Sequence, residues 1–391
     1  MEPGRGQAGT ARFENPRPLA IRLHSRRTPG VTRWRSKVGR MALLAVMTAF
    51  SLLSAAQKKP AGGVPGAALV WPQPPDPPRI QYLQSFGRAS DFGWKRSLWR
   101  KFLEWAKSES DPSLLVRPVS VTVDGRGRLI VADEGDGDVK IFDLQKKSVK
   151  VIHGYKGKEF GTPVGVAVDD AGNLYISDAS AGRVLQYAPD GKFRAFIGGE
   201  EGAFKRPASI AFNPANHLLY VVDTLRPRIF AYTTDGKEVK AFGEAGSGPG
   251  QFNLPTFLAV DREGRLYVND TLNCRVQVLT PEGKFVTQFG ESGDGSGYFN
   301  RPKGVAVDSE GHIYVAEALF STVQIFDLQG RYLLSFGESG ARVGEFYIPA
   351  GVAIDSSDRI YVADPFQRRV QVFQYLAEKS APAAEHPGGG R

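Results

Sequence analysis

Apolar and polar residues alternate in four short runs across residues 254–290, and turn residues separate the runs. LAVD is followed by REGR, LYVND by TLNC, and RVQVLT by PEGK; FVTQFG closes the stretch. Alternation with period two puts successive side chains on opposite faces, so each run predicts a strand. The Asp, Gly, Pro and Asn clusters between them predict the hairpins. The stretch is therefore expected to form one four-stranded antiparallel sheet, with strands a to d in chain order.

The same pattern recurs along the chain. A proline opens the first strand of each unit, at Pro118, Pro163, Pro207, Pro255, Pro302 and Pro349, at intervals of 44 to 48 residues. Strand a reads VSVTVD, VGVAVD, ASIAFN, TFLAVD, KGVAVD and AGVAID; strand b reads LIVAD, LYISD, LYVVD, LYVND, IYVAE and IYVAD. Repeats of this period build radial arrays in which each unit is one blade. The sixth unit ends after strand c, and residues 79–87 (RIQYLQSFG) match the missing strand d. The expected fold is an all-β, six-bladed β-propeller of four-stranded antiparallel blades over residues 79–376. Residues 79–87 would close blade six, so that no sheet edge is left open.

The unit resembles the NHL repeat. Its stretch Asp-x-x-Asn-x-Arg-hydrophobic-x-Val stands in blade four as Asp270, Asn273, Arg275, Val276 and Val278, with Cys274 where the repeat has its name-giving histidine. The resemblance covers all six blades and implies an exported bacterial propeller. It implies much less about activity, because one scaffold of this kind hosts binding modules and several chemistries. Some NHL-type propellers are amidating lyases with a zinc held by histidines. Here His217 and His312 fall in a–b hairpins, His153 ends a strand d, and His386 is in the tail, so they do not converge. Six-bladed calcium-dependent lactonases use acids and Asn at the channel, and Asn269 and Asn273 keep that alternative open.

Outside the repeats, residues 1–40 are expected to be a disordered basic extension; a start near Val31 would leave residues 1–30 untranslated. Residues 41–56 (MALLAVMTAFSLLSAA) follow Arg33, Arg35, Lys37 and Arg40 and end in small residues, which predicts a signal peptide. An uncleaved anchor is the alternative, although the run is short for a bilayer span. Residues 57–78 read as a Pro-rich linker, and residues 377–391 as a disordered tail. Residues 88–116 are an insertion: Trp94, Leu98, Phe102 and Ala106 recur at helical spacing beside Trp105, opposite Lys95, Arg96, Arg100, Lys101 and Lys107. A basic amphipathic helix over 92–107 would either pack its aromatic face on the propeller or lie on a membrane surface.

The net charge of +9 belongs almost entirely to residues 1–56, where Lys and Arg outnumber Asp and Glu by eight. The remaining body is near neutral, which argues against nucleic acid as a partner. A single cysteine, Cys274, excludes an internal disulfide. The Gly-rich d–a loops lack the Lys-Ser/Thr of a phosphate loop.

Candidate chemistry lies in the b–c loops. Each opens on a carboxylate: Asp133, Asp178, Asp223, Asp270, Glu317 and Asp364. An arginine five residues on (Arg183, Arg228, Arg275, Arg369) is the expected partner in four blades. Blade one has Asp138 there and blade five Thr322, so Asp133, Asp136, Asp138 and Glu317 are left as a candidate calcium site. The third loop residue is Leu225, Leu272, Leu319 and Phe366 in blades three to six, with Phe320 beside them. Those side chains would either plug the channel or form an apolar crescent for a partner, with Arg368 and Arg369 at its rim. The function expected is a monomeric, non-catalytic, cofactor-free binding or scaffolding module of the cell envelope, engaging a protein, peptide or lipid-like ligand. A calcium-dependent hydrolase or lyase is the alternative.

Overall fold

The structure is a computed structural model that describes residues 68–94, 111–199 and 203–377. The extension at 1–40, the signal at 41–56, most of the insertion and the tail beyond Leu376 and Ala377 lie outside the described residues. Among the described residues no helix is long and apolar enough to cross a membrane.

Six antiparallel sheets carry the repeat. Blade one is built from Pro118–Val123, Leu129–Asp133, Asp138–Asp143 and Ser148–Ile152. Blade four is built from Pro255–Val260, Leu266–Asp270, Arg275–Leu279 and Phe285–Phe289. Blade six takes Val352–Ile354, Arg359–Asp364 and Arg369–Tyr375 from the end of the chain, and Ile80–Phe86 completes it from the beginning. The closing strand pairs antiparallel from Ile80 opposite Tyr375 to Phe86 opposite Val370, with a one-residue bulge at Leu83 between Tyr82 and Gln84.

Two expectations change. The linker does not reach residue 78, because Val70–Trp71 pairs with Ile80 and Gln81 as a fifth, outermost strand of blade six. Trp71 explains this: its ring lies 5.8 Å from Phe373 and 5.9 Å from Phe336, so the strand covers an aromatic cluster. The insertion begins with a short 3₁₀ turn, Ala89–Phe92, and Trp94 stacks on Phe92 above Phe86 and Phe142. The rest of the expected helix is outside the described residues.

Strand b is buried along its length in blades one, two, four and five, and the apolar clusters lie between adjacent blades. Each interblade wedge also receives a residue from the d–a loop, three positions before the strand-a proline. These are Leu115, Phe160, Phe204, Phe252, Phe299 and Phe346, all buried. Burying one such side chain stabilises by about 1.5–3 kcal/mol. The preceding strand must turn tightly over that ring. At Gly290 (φ +84°) an added Cβ would lie 2.3 Å from the ring of Phe299, so only glycine fits.

At the other end of strand a, an acid ties the a–b hairpin. Asp261 accepts the Arg265 N–H at 2.8 Å and the Tyr267 hydroxyl at 2.9 Å. Asp308 does the same with His312 and Tyr314. These acids stand at the opposite end of the strands from the b–c loops.

Candidate functional site

The six strands a enclose the central channel. Two residues after each proline stand Ser120, Gly165, Ser209, Phe257, Gly304 and Gly351. The small residues let neighbouring backbones approach: the Gly304 N–H donates to the Ala350 carbonyl at 2.9 Å, and the Gly351 N–H to that of Val119 at 3.0 Å. A Cβ at Gly304 would meet the Ala350 oxygen at 2.3 Å. Phe257 is the one large side chain in this ring. It reaches across from blade four, and a Cβ at Gly351 in blade six would be 3.5 Å from its ring. Phe257 lines both a cavity of about 450 Å³ at the b–c loop end and a deeper one of about 270 Å³ between the strands. Phe257 therefore stands between the two cavities.

Behind the mouth, the carboxylates that open the b–c loops are wholly buried. Each reaches back to the chain just before its own strand-a proline. Asp133 accepts the N–H groups of Val116 and Arg117 at 2.7 and 2.6 Å. Asp178 accepts Gly161 and Thr162, Asp223 accepts Lys205 and Arg206, and Glu317 accepts Asn300 and Arg301. Such charge-assisted bonds pin the entry of the innermost strand. The acid ring is structural.

The expected partners hold in blades two, four and six. Arg183, Arg275 and Arg369 lie 3.3, 2.9 and 3.1 Å from Asp178, Asp270 and Asp364. Blade three differs: Asp223 pairs with Arg226 at 2.9 Å, and Arg228 turns out to the Gly243 carbonyl. Arg226 wins because its guanidinium also packs on the Phe230 ring, which faces it across the strand. Arg369 is not free at the rim. It is spent on Asp364 and on the carbonyls of Ala341, Arg342 and Glu345. Burial nevertheless pushes Asp364 up to about 6. Asn269 and Asn273 are likewise engaged, with the Lys303 carbonyl and with Gly246 and Asp270.

The proposed metal cluster is reorganised by one residue. Asp133, Asp136 and Asp138 do come together, and the Lys140 ammonium stands among them at 3.1, 2.8 and 2.7 Å, fully buried. Burial works against its charge, but the three carboxylates outweigh burial and hold its pKa above the ordinary lysine range. Asp138 stays raised by burial despite Lys140. Glu317 is not part of the cluster. It has no cation within ion-pair distance among the described residues, and burial raises its pKa against the backbone N–H bonds it accepts. Lys140 thus fills the position an ion would take, and the donor set does not fit calcium while that lysine is in place.

Leu225, Leu272, Leu319 and Phe366 do not plug the channel. They stand 50–56% exposed around it, and Phe320 is half-buried. Tyr347, also exposed, meets the Phe366 ring edge-on at 5.6 Å. Arg368 is exposed beside them.

The mouth itself carries a feature that the sequence reading missed. Arg117, Arg206, Arg301 and Lys303 line the larger cavity with Glu134, over a floor that includes Val119, Ala208, Phe257 and Ala350, with Leu272 at the rim. Arg117 is 3.6 Å from Glu134 and stacks on Phe366. Arg206, Arg301 and Lys303 make no ion pair among the described residues. Burial, then the nearby charges of Arg301 and Arg117, push the Lys303 pKa down. The available signal was positional: arginine precedes the strand-a proline in blades one, three and five only.

Residues 299–326, strands a to c of blade five with the loop before them, match the family model of the NHL repeat. The chain carries an NHL repeat within a six-bladed propeller. Solved structures share the NHL chain's architecture at low identity. A protein of unknown function from Bacteroides thetaiotaomicron is 16% identical over 76% of each chain, with a TM-score of 0.55. An auxiliary nutrient binding protein from the same organism is 14% identical over 67% of this chain and 70% of that one, at 0.54. Virginiamycin B lyase from Staphylococcus aureus is 15% identical over 67% and 96%, at 0.51. At these identities the likeness concerns the fold. No curated protein matches the NHL chain in sequence.

Proposed function

We propose that this propeller is a non-catalytic binding module of the cell envelope that engages its partner on the b–c loop face. The observation that carries the reading is the set of four exposed apolar side chains, Leu225, Leu272, Leu319 and Phe366, in the b–c loops of four consecutive blades, of which Leu272 also lines the cavity. Solvent exposure of such groups disfavours the free state, and covering them favours a complex. The acids that hydrolytic chemistry would need are instead committed to backbone N–H groups and to Lys140. A nutrient binding protein among the structural neighbours shows that the same architecture serves a binding role elsewhere. Export rests on residues 41–56, as the sequence suggests.

The test is a double variant, Leu272→Asp with Phe366→Asp. Both side chains are more than half exposed, so its thermal melt should match the wild type. Wild-type protein immobilised against envelope extract should retain a saturable partner that the variant loses. Equal retention by both proteins would remove the apolar ring from the binding face.

A further inference from the structure

We propose that the channel mouth binds an amphiphilic anion, a small molecule whose carboxylate or phosphate head is held by Arg206, Arg301 and Lys303 while its apolar body lies over Phe257 and Leu272. This rests on the binding reading above and names the ligand class.

Three features converge on it. First, the arginines occupy one structural position in alternate blades. Arg117, Arg206 and Arg301 precede the strand-a proline in blades one, three and five, where blades two, four and six have Thr162, Leu254 and Ile348. Three guanidinium groups therefore approach one cavity from three sides, and Lys303 adds an ammonium from blade five. Second, the charges are unbalanced. Among the described residues Glu134 is the only carboxylate that lines the cavity, and it faces Arg117. Arg206, Arg301 and Lys303 keep no carboxylate within 4 Å among the described residues, so exposed arginines gather like charge around a half-buried Lys303. A bound anion relieves that repulsion and gains charge-assisted hydrogen bonds, to which the arginine fork is well shaped. Third, the cavity ends in a floor. Phe257 reaches across the channel there, and among its neighbours Val119, Ala208 and Ala350 no second charged group lines the floor. A space of about 450 Å³ is of the size that holds a small ligand.

The experiment is titration calorimetry on the full chain with octanoate, octyl phosphate and octyltrimethylammonium, below their micelle concentrations. The expected result is saturable one-site binding of the two anions, weakened by added salt, with no heat from the cation. A tighter octyl phosphate would mark a phosphate head as the preferred source, and a tighter octanoate a carboxylate. Replacing Arg301→Gln together with Lys303→Gln should weaken both anions by at least about tenfold, since each lost charged hydrogen bond is worth that much or more. Arg206→Gln, at an exposed position, should do so alone should the double variant fold poorly. Unchanged affinity in a folded variant, or equal binding of the cation, would overturn the inference. Failure of the wild type to bind either anion, with partner retention still sensitive to Leu272→Asp and Phe366→Asp, would overturn the anion site and leave the binding face standing.

Discussion

Lys140 lies 2.7 Å from Asp138, two residues along the same strand and on the same face of it. In blades two, four and six the acid that opens the b–c loop is neutralised by an arginine five residues on. Blade one has an acid there and its cation two residues further, where the other blades carry Leu185, Phe230, Gln277, Gln324 and Gln371. The cation has moved two residues along the strand, and it now faces three carboxylates instead of one.

Removing that cation should therefore be costly. Lys140→Met would leave Asp133 and Asp138 buried and uncompensated, and breaking a buried pair in this way costs about 3–5 kcal/mol. We expect the variant's Tm to fall sharply and calcium to restore part of it, because three carboxylates then stand open to a hard cation. The wild type should show no Tm shift with a chelator or with calcium. A chelator-sensitive wild type would mean that an ion, and not Lys140, organises the loop.

The architecture was legible because it is written six times. The strand-a prolines, the strand-b runs and the match between residues 79–87 and the other d strands fix blade number and closure without any tertiary contact. What was not legible depends on geometry across blades. The pairing of Asp223 with Arg226 instead of Arg228 follows from the Phe230 ring behind it. The packing of Trp71 on Phe336 and Phe373 is invisible in a stretch that reads as a Pro-rich linker. The mouth was misjudged for one reason: the carboxylates point back to their own blade's backbone, while the residues before each proline face the cavity. Reading the chain by motif found the acids, and reading it by structural position would have found the arginines.

Phe257 should act as the floor of the mouth. Phe257→Ala would join the cavities on either side of it, and its half-buried position puts the stability loss at about 3 kcal/mol, the low end for a phenylalanine truncation. Urea denaturation measures the loss. A change within 0.5 kcal/mol would mean that the ring contributes little packing.

Cys274 sits at φ +52°, in a left-handed position that Gly137 and Gly182 occupy in blades one and two. Its thiol makes one weak hydrogen bond, 3.5 Å to the Asn300 carbonyl, and the side chain packs at the edge of the cluster that holds Phe299. A left-handed residue with a Cβ costs about 1–2 kcal/mol, against which glycine loses more freedom on folding. Cys274→Gly is expected to keep or raise the Tm by a few degrees and to leave anion binding unchanged. A drop of more than about 1 kcal/mol in urea would show that the thiol packs to real advantage.

The last prediction concerns pH. The His312 imidazole meets Asp308 at 2.9 Å, and that bond raises its pKa, against partial burial and with help from the carboxylates of Asp308, Glu310 and Asp327. The folded state thus holds its proton more tightly than the unfolded chain, whose histidine titrates near 6.5. The sign follows from linkage: the contribution is fully present below about 6.5 and is lost as pH rises through the folded value. His312→Gln removes the titration. The Tm advantage of the wild type over this variant should be largest near pH 5.5 and shrink as pH climbs to about 8.5. A gap that stays constant over this range would assign the contact to shape and neutral hydrogen bonding, and a gap that widens would reverse the sign of the linkage.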